Sequence, residues 1–217
     1  MASSGPDRAT LRGLLELTRL GNAVAAGVLT FTGAFVAAGL DSDPVAVVAA
    51  VAATLFATAA GNAVNDYFDR DIDRINDPDR PIPRGAVSAR GALAFSVALF
   101  LGAVVSALAL PLAAIAIAVV NLLALVAYTE LFKGLPGVGN AVVSYLTGST
   151  FLFGAAAVGR LADPAVLVLF ALAALATLTR EIVKDVEDLA GDREEGLRTL
   201  PIVVGERTAL RLGAAVM

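Results

Sequence analysis

Long runs without charge alternate along this chain with short, strongly charged segments. The uncharged stretches cover residues 20–40, 44–65, 91–129, 134–159 and 164–179. A helix needs about 20 apolar residues to cross roughly 30 Å of hydrocarbon, so all but the third have roughly the length of one span. The third would be about 58 Å long as a single helix rising 1.5 Å per residue, nearly twice too long. Pro111 falls near its middle, where it removes a backbone donor and favours a turn. That run therefore divides into two spans, giving six, and 200–217 reads as the start of a seventh. The pattern predicts an all-α integral membrane protein, a multi-span helical bundle. Ahead of it, residues 1–19 are polar to amphipathic, with Leu11, Leu14, Leu15 and Thr18 on one helical face. They read as a cytoplasmic, interfacial N-terminal segment, and 20–217 as the transmembrane domain. The apolar stretch after it is too long for the core of a signal peptide and is kept as a true span.

Composition narrows the chemistry. The chain is 58% hydrophobic with a mean hydropathy of +0.79. It contains neither Cys nor His, which excludes disulfides, thiolate or imidazole catalysis and ordinary zinc sites. Any metal must be held by oxygen, which points to Mg²⁺, Mn²⁺ or Ca²⁺. If the spans alternate in direction, the N-terminus and the loops at 65–90, 130–137 and 180–200 share one side. Counting Arg207 and Arg211 at the entry to the seventh span with them, every basic residue except Arg160 lies on that side, which the positive-inside rule assigns to the cytoplasm. A multi-pass protein of the cell membrane with its chemistry on the cytoplasmic face follows. The net charge of −4 gives no reason to invoke nucleic acid, and no obligate protein partner is implied.

Two acid-rich segments fall on that same side, each directly after an uncharged stretch. In the first, Asn65, Asp69 and Asp73 are spaced i, i+4, i+8, which lines one face of a helix. In the second, Asp185, Asp188 and Asp192 are spaced i, i+3, i+7, with Glu181 one turn earlier. Gathering like charges at a membrane boundary is costly unless a cation sits among them. Two facing carboxylate stripes can hold Mg²⁺ through one or two ligands each, leaving positions for phosphate oxygens. Such a clamp stabilises a departing diphosphate. The bland alternative is a pair of solvated loops carrying local charge pairs, such as Arg70 with Asp66 or Asp73. Each segment is also trailed by a basic-then-proline element, Arg80-Pro81-Ile82-Pro83-Arg84-Gly85 and Arg198-Thr199-Leu200-Pro201-Ile202. The offset of about 120 residues suggests a weak internal repeat.

Asn65-Asp66-x-x-Asp69-x-x-x-Asp73, Arg80-Pro81-Ile82-Pro83-x-Gly85 and Asp185-x-x-Asp188-x-x-x-Asp192 resemble the signature of the UbiA-type intramembrane prenyltransferases. Within that family, the run from Arg180 through Asp188, then Gly191-Asp192-Arg193, Gly196 and Arg198-Thr199-Leu200-Pro201, is similar to the archaeal ether-lipid branch. Arg19-Leu20-Gly21-Asn22 fits the start of that branch's first span. The resemblance implies Mg²⁺ as cofactor, an isoprenyl diphosphate donor and a lipid-phosphate acceptor. The implied reaction moves geranylgeranyl from its diphosphate to geranylgeranylglyceryl phosphate, forming the second ether bond of archaeal membrane lipids. Aromatic quinone-precursor and chlorophyll-type acceptors are the alternative within the family, and a divalent-cation transporter the alternative outside it.

Carried over residue by residue, the metal and diphosphate ligands are Asn65, Asp69, Asp73, Asp185, Asp188 and Asp192. Asp69, Asp73, Asp188 and Asp192 are the catalytic core. Asp66 lies about 100° round the helix from Asn65 and is assigned to substrate instead. Tyr128 is placed at the allylic carbon and Lys133 at the diphosphate, with plain interfacial anchoring as the other reading of both. Asn22 either reaches the donor or bonds between helices. Arg80, Arg84, Lys184 and Arg198 either hold the acceptor phosphate or are headgroup and positive-inside charges. The family usually has nine spans; this chain stops at Met217 within the seventh, so the lateral wall of the lipid chamber is expected to be incomplete.

Overall fold

A computed structural model of the protein describes residues 8–128, 135–194 and 196–217. Among the described residues all regular structure is helical. In chain order the helices are α1 (Arg8–Leu17), α2 (Leu20–Ala38, extended by a short 3₁₀ turn), α3 (Pro44–Phe68), α4 (Arg70–Asn76), α5 (Ala89–Ala107), α6 (Leu112–Ala127), α7 (Val138–Ala157), α8 (Pro164–Glu187), α9 (Leu189–Glu194), α10 (Leu200–Val204) and α11 (Glu206–Val216). All six expected spans emerge as separate helices. The long third run breaks as expected, with Pro111 as the residue that opens α6.

Among the described residues four segments are long and apolar enough to cross a membrane: Leu20–Asp41, Pro44–Phe68, Ala89–Ala107 and Pro164–Glu187. Of the other two expected spans, α6 is only 16 residues long. The 20 residues of α7 carry Asn140, Ser144, Thr147, Ser149 and Thr150, which lower its hydropathy. The expected seventh span differs more. Residues 200–217 form α10 and α11, broken at Gly205, whose φ of 82° suits glycine alone. Helix α11 carries Glu206, Arg207 and Arg211 on an otherwise apolar background, so it is amphipathic rather than hydrophobic all round.

Local signals account for several helix starts. Asp163 caps α8 by accepting from the backbone N–H of Ala165 and Val166, and Pro164 occupies the first helical position. Ser88 caps α5 by accepting from Gly91 N–H.

The helices form two compact units. The first takes in the chain up to Phe31 together with Pro44–Leu110. Its main pair is α3 with α5, where the Phe56 ring lies against Gly102 and Ser96 donates to the Ala60 carbonyl. Helix α1 closes one end: Leu17 is packed among Ala63, Val87 and Ala92, with Leu14, Ile82 and Phe95 around them. The expected face of α1 is therefore only half right. Leu14 and Thr18 turn inward beside Gly13 and Leu17, whereas Leu11 and Leu15 stay exposed, available to the membrane interface. The second unit holds Thr32–Asp43 and the chain from Pro111 onward. Here α7 lies along α8, with Gly148 pressed on the Phe170 carbonyl. Ser149 donates to Asn121 of α6, and Thr179 of α8 donates to the Gly213 carbonyl of α11. Small residues that bring backbones together, with hydroxyl bonds across helices, are how apolar helices associate in lipid, where burial alone gives no advantage.

Candidate functional site

Both acid-rich segments lie at helix ends, and their backbones match at the middle carboxylate. Asp69 separates α3 from α4 at φ −81°, ψ 0°, and Asp188 separates α8 from α9 at φ −85°, ψ 2°. Each expected stripe therefore crosses a one-residue interruption rather than running along one helix. The i→i−4 spacing persists through both interruptions: Asp69 and Asp73 bond back to Asn65 and Asp69, and Asp188 and Asp192 to Lys184 and Asp188. This shared kink, in the sparsely populated bridge region that active-site residues often occupy, gives the weak sequence repeat a structural counterpart. The acids of α3 and α8 sit in the final turns and not at mid-span. An ion path through the bilayer would need carboxylates at depth, so this placement counts against the transporter.

In the first segment only Asp73 of the expected stripe is buried, and the second buried acid is Asp66. Asp66 is 4% exposed and Asp73 5%. Seven residues apart, they share a face, and Arg80 bridges them at 3.4 Å and 2.8 Å while also pairing with Asp77 at 3.0 Å. Asp66 takes a second guanidinium from Arg19 at 2.6 Å. Asn65 and Asp69 are half-buried on the neighbouring face. Burial pushes the Asp73 carboxyl above the ordinary carboxylate value. Arg80 opposes that rise, and the charges of Asp66 and Asp69 add to it. Burial works against the Arg80 charge too, but Asp73, Asp66 and Asp77 outweigh it and raise its pKa.

Arg19 holds its place at a cost. It is the only non-glycine with positive φ among the described residues, at 45°, in the break between α1 and α2. The Thr18 carbonyl beside it accepts from Asn62, so two bonds fasten this break to the last turns of α3. Arg70 does not pair with Asp66 or Asp73. It stacks over the Tyr67 ring at 4.8 Å and pairs with Asp71.

In the second segment Glu181 pairs with Arg180, but among the described residues Asp185 and Asp192 are bonded by neutral partners. The Asn140 amide, 7% exposed in the first turn of α7, donates to Asp185 at 2.9 Å. The Thr199 hydroxyl donates to Asp192 at 3.0 Å. Asp188 is exposed, as are Lys184 and Arg198.

Of the remaining expected site residues, Arg84 is engaged by Glu16 of α1 and the Asp79 carbonyl, which puts it in the anchoring of α1. Asn22 is exposed and lines an open cleft of about 550 Å³ with Arg12, Glu16 and Arg19. Tyr128 is half-buried at the end of α6, and Lys133 lies outside the described residues. Reading the sequence missed Arg19 as an ion-pair partner, Glu16, Asn140 and the Asp192 contact of Thr199. Only Arg19 and Thr199 had any signal, through their place in the quoted motifs.

Among the described residues no three acids converge closely enough to cage a metal by themselves. The donors are all oxygen, and each segment offers one or two carboxylates at a time. That suits Mg²⁺, which keeps waters and completes its shell with substrate phosphate.

The fold and site define a multi-pass, all-helical membrane protein with paired acidic elements at helix ends. The chain matches the UbiA prenyltransferase family profile over residues 26–217. It is 70% identical over 210 residues to a digeranylgeranylglyceryl phosphate synthase of Haloquadratum walsbyi, covering 97% of this chain and 73% of that protein. It is 73% identical over 205 residues to the protein of that name from Natronomonas pharaonis, covering 94% of this chain and 73% of that one. A solved structure from work on digeranylgeranylglyceryl phosphate synthase in membranes superposes with a TM-score of 0.83 at 36% identity, over 95% of this chain and 73% of that one. A UbiA homologue from Archaeoglobus fulgidus bound to DMAPP and Mg²⁺ shares the fold, with a TM-score of 0.78 at 21% identity over 94% of this chain and 73% of that chain. The chain belongs to the UbiA prenyltransferase family.

Proposed function

We propose that this protein transfers a geranylgeranyl group from geranylgeranyl diphosphate to geranylgeranylglyceryl phosphate, forming the second ether bond of archaeal membrane lipids. The observation that carries this reading is 70% identity, sustained over 97% of the chain, to a digeranylgeranylglyceryl phosphate synthase. The active side faces the cytoplasm of the cell membrane, as the basic residues direct. Residues 1–19 form the interfacial segment and 20–217 the transferase domain.

Asn65, Asp69, Asp73, Asp185, Asp188 and Asp192 bind the diphosphate through Mg²⁺. When bound, Mg²⁺ neutralises the charge that develops on the departing diphosphate. The residues themselves have simpler tasks. The carboxylates orient the donor's phosphates, and the apolar helix faces exclude water from the allylic cation. Arg198 and Lys184, both exposed at the end of α8 and beyond, are suited to the acceptor phosphate. Arg80 already serves three carboxylates, so its role is to hold the first segment together. The acceptor hydroxyl needs no strong base if ionisation precedes attack, since a cation accepts a neutral oxygen and the resulting oxonium gives its proton to the released diphosphate or a neighbouring carboxylate.

The test supplies membranes with Mg²⁺, labelled geranylgeranyl diphosphate and two competing acceptors, geranylgeranylglyceryl phosphate and an aromatic acid. An ether-linked product is expected. Prenylated aromatic acid alone would replace this reading with the quinone-type one, and full transfer by both Asp69→Ala and Asp188→Ala would end the metal-clamp assignment.

A further inference from the structure

Thr199 stands at the position that opens α10, where a threonine hydroxyl ordinarily accepts from the first free backbone N–H groups of the helix. It makes no such cap. Pro201 removes one of those donors, and the hydroxyl turns away to donate to Asp192 Oδ2 at 3.0 Å. Asn140 is similarly diverted. Asparagine is a poor helix former, and here a buried amide in the first turn of α7 reaches Asp185 Oδ2 at 2.9 Å, across 45 residues of sequence. A carboxylate only accepts, so the amide must present its nitrogen. Two side chains with local uses for their polar groups have given those up for the acids of one segment.

Their chemistry is common to both: each is a neutral donor. A carboxylate offers about four lone-pair directions, and one neutral hydrogen bond fixes its orientation while leaving the others, and its full charge, open. A guanidinium would also fix it, but would cancel the charge and compete with an incoming cation. In the first segment guanidinium partners are used, from Arg19 and Arg80. In the second, Arg180 pairs with Glu181, while Asp185 and Asp192 themselves take neutral donors and Lys184 is exposed.

We infer that Asn140 and Thr199 are positioning residues that aim Asp185 and Asp192 at a divalent cation without neutralising them. This rests on the proposed metal role of the second segment. Partners of this kind, one step behind a metal ligand, typically govern affinity by 10- to 100-fold.

The test titrates the purified full chain in detergent with Mn²⁺ alone, read by electron paramagnetic resonance, with no substrate present. The class of Mn²⁺ sites lost in Asp188→Ala marks the second segment. For that class, Asn140→Ala and Thr199→Val should each raise the dissociation constant about 10-fold or more, while Thr199→Ser stays within about twofold of the unmodified protein. Melting in EDTA, measured alongside, separates lost binding from lost folding. Thr199→Val keeps the shape of the side chain, so the Thr199→Val and Thr199→Ser pair decides the matter even if Asn140→Ala does not fold. The inference is overturned if Asn140→Ala and Thr199→Val bind Mn²⁺ as the unmodified protein does while Asp188→Ala loses that class. If Asp188→Ala itself loses no Mn²⁺, the metal role of the second segment falls, and the inference with it.

Discussion

The two acid-rich segments share a backbone kink and a carboxylate rhythm, yet they are held in opposite ways. The first is gripped by arginines: Arg80 spans Asp66, Asp73 and Asp77, and Arg19 closes on Asp66. In the second, Arg180 pairs only with Glu181, and Asp185 and Asp192 are steadied by an amide and a hydroxyl. Burial explains the difference. Asp66 and Asp73 are almost fully enclosed, where an ionised carboxylate is stable only beside a cation. Asp185 and Asp192 are half-buried and Asp188 exposed, so water still reaches this segment, and the bonds to Asp185 and Asp192 come from neutral donors. One arrangement favours rigidity, and the other keeps negative charge available.

The largest effect that separates them should come from Arg80→Ala. It leaves Asp66 and Asp73 buried with one cation fewer, and a loss of about 2 kcal/mol is expected, discounted from a fully buried pair because Arg80 is partly exposed. Thermal unfolding in detergent measures this, and a double-mutant cycle with Asp73→Asn assigns the share of that pair. No loss would mean the first segment is not held by its arginines. Gly148→Ala asks the matching question of the second unit, which relies on close backbone approach. A Cβ there would stand 2.7 Å from the Phe170 carbonyl, so about 1–2 kcal/mol of destabilisation is expected by the same assay.

Arg19 gives a smaller and more pointed contrast. Arg19→Gly and Arg19→Ala both remove the bond to Asp66, but only glycine relieves the left-handed backbone. The glycine variant should be the more stable by roughly 1 kcal/mol, and equal melting temperatures would remove strain from the account.

The smallest effect is a pH response confined to the first unit. The Arg84 guanidinium, opposed by desolvation and helped by Arg12, holds the Glu16 carboxyl below its ordinary 4.5. Its contribution is therefore complete above pH 4.5 and fades as pH falls below that value. Hydrogen exchange of α1 should accelerate on acidification through that window and on adding salt, since the pair is exposed. Glu16→Gln should flatten the pH response.

How much of this was legible beforehand follows the range over which each feature is specified. The six helices, the break at Pro111 and the caps at Ser88 and Asp163 depend on neighbours within a few residues, and the chain displays them directly. The metal-type spacing of Asp185, Asp188 and Asp192 was equally plain, as was the family signature. The pairing within the first segment was not. Helical phase set Asp66 apart from Asn65, Asp69 and Asp73, but the same arithmetic puts Asp66 and Asp73 on one face, and burial made that face the decisive one. The half-right face of α1 has a similar cause: an amphipathic pattern says that one side is apolar, not whether protein or membrane covers each leucine. Residues 200–217, expected to start a seventh span, form the short α10 and an α11 whose Arg207 and Arg211 recur at helical spacing, a feature that average hydropathy does not register.

By itself, the sequence determined the class of the molecule, its helical segments, its oxygen-only chemistry and the family to which it belongs. These are sums or spacings along one dimension. Tertiary structure alone decided which acids are charge-paired and which are merely oriented. Arg19 meets Asp66 across 47 residues and Asn140 meets Asp185 across 45, and no local pattern encodes either. A partner is required only where folding withdraws a carboxylate from water, and that desolvation exists only once the helices have packed.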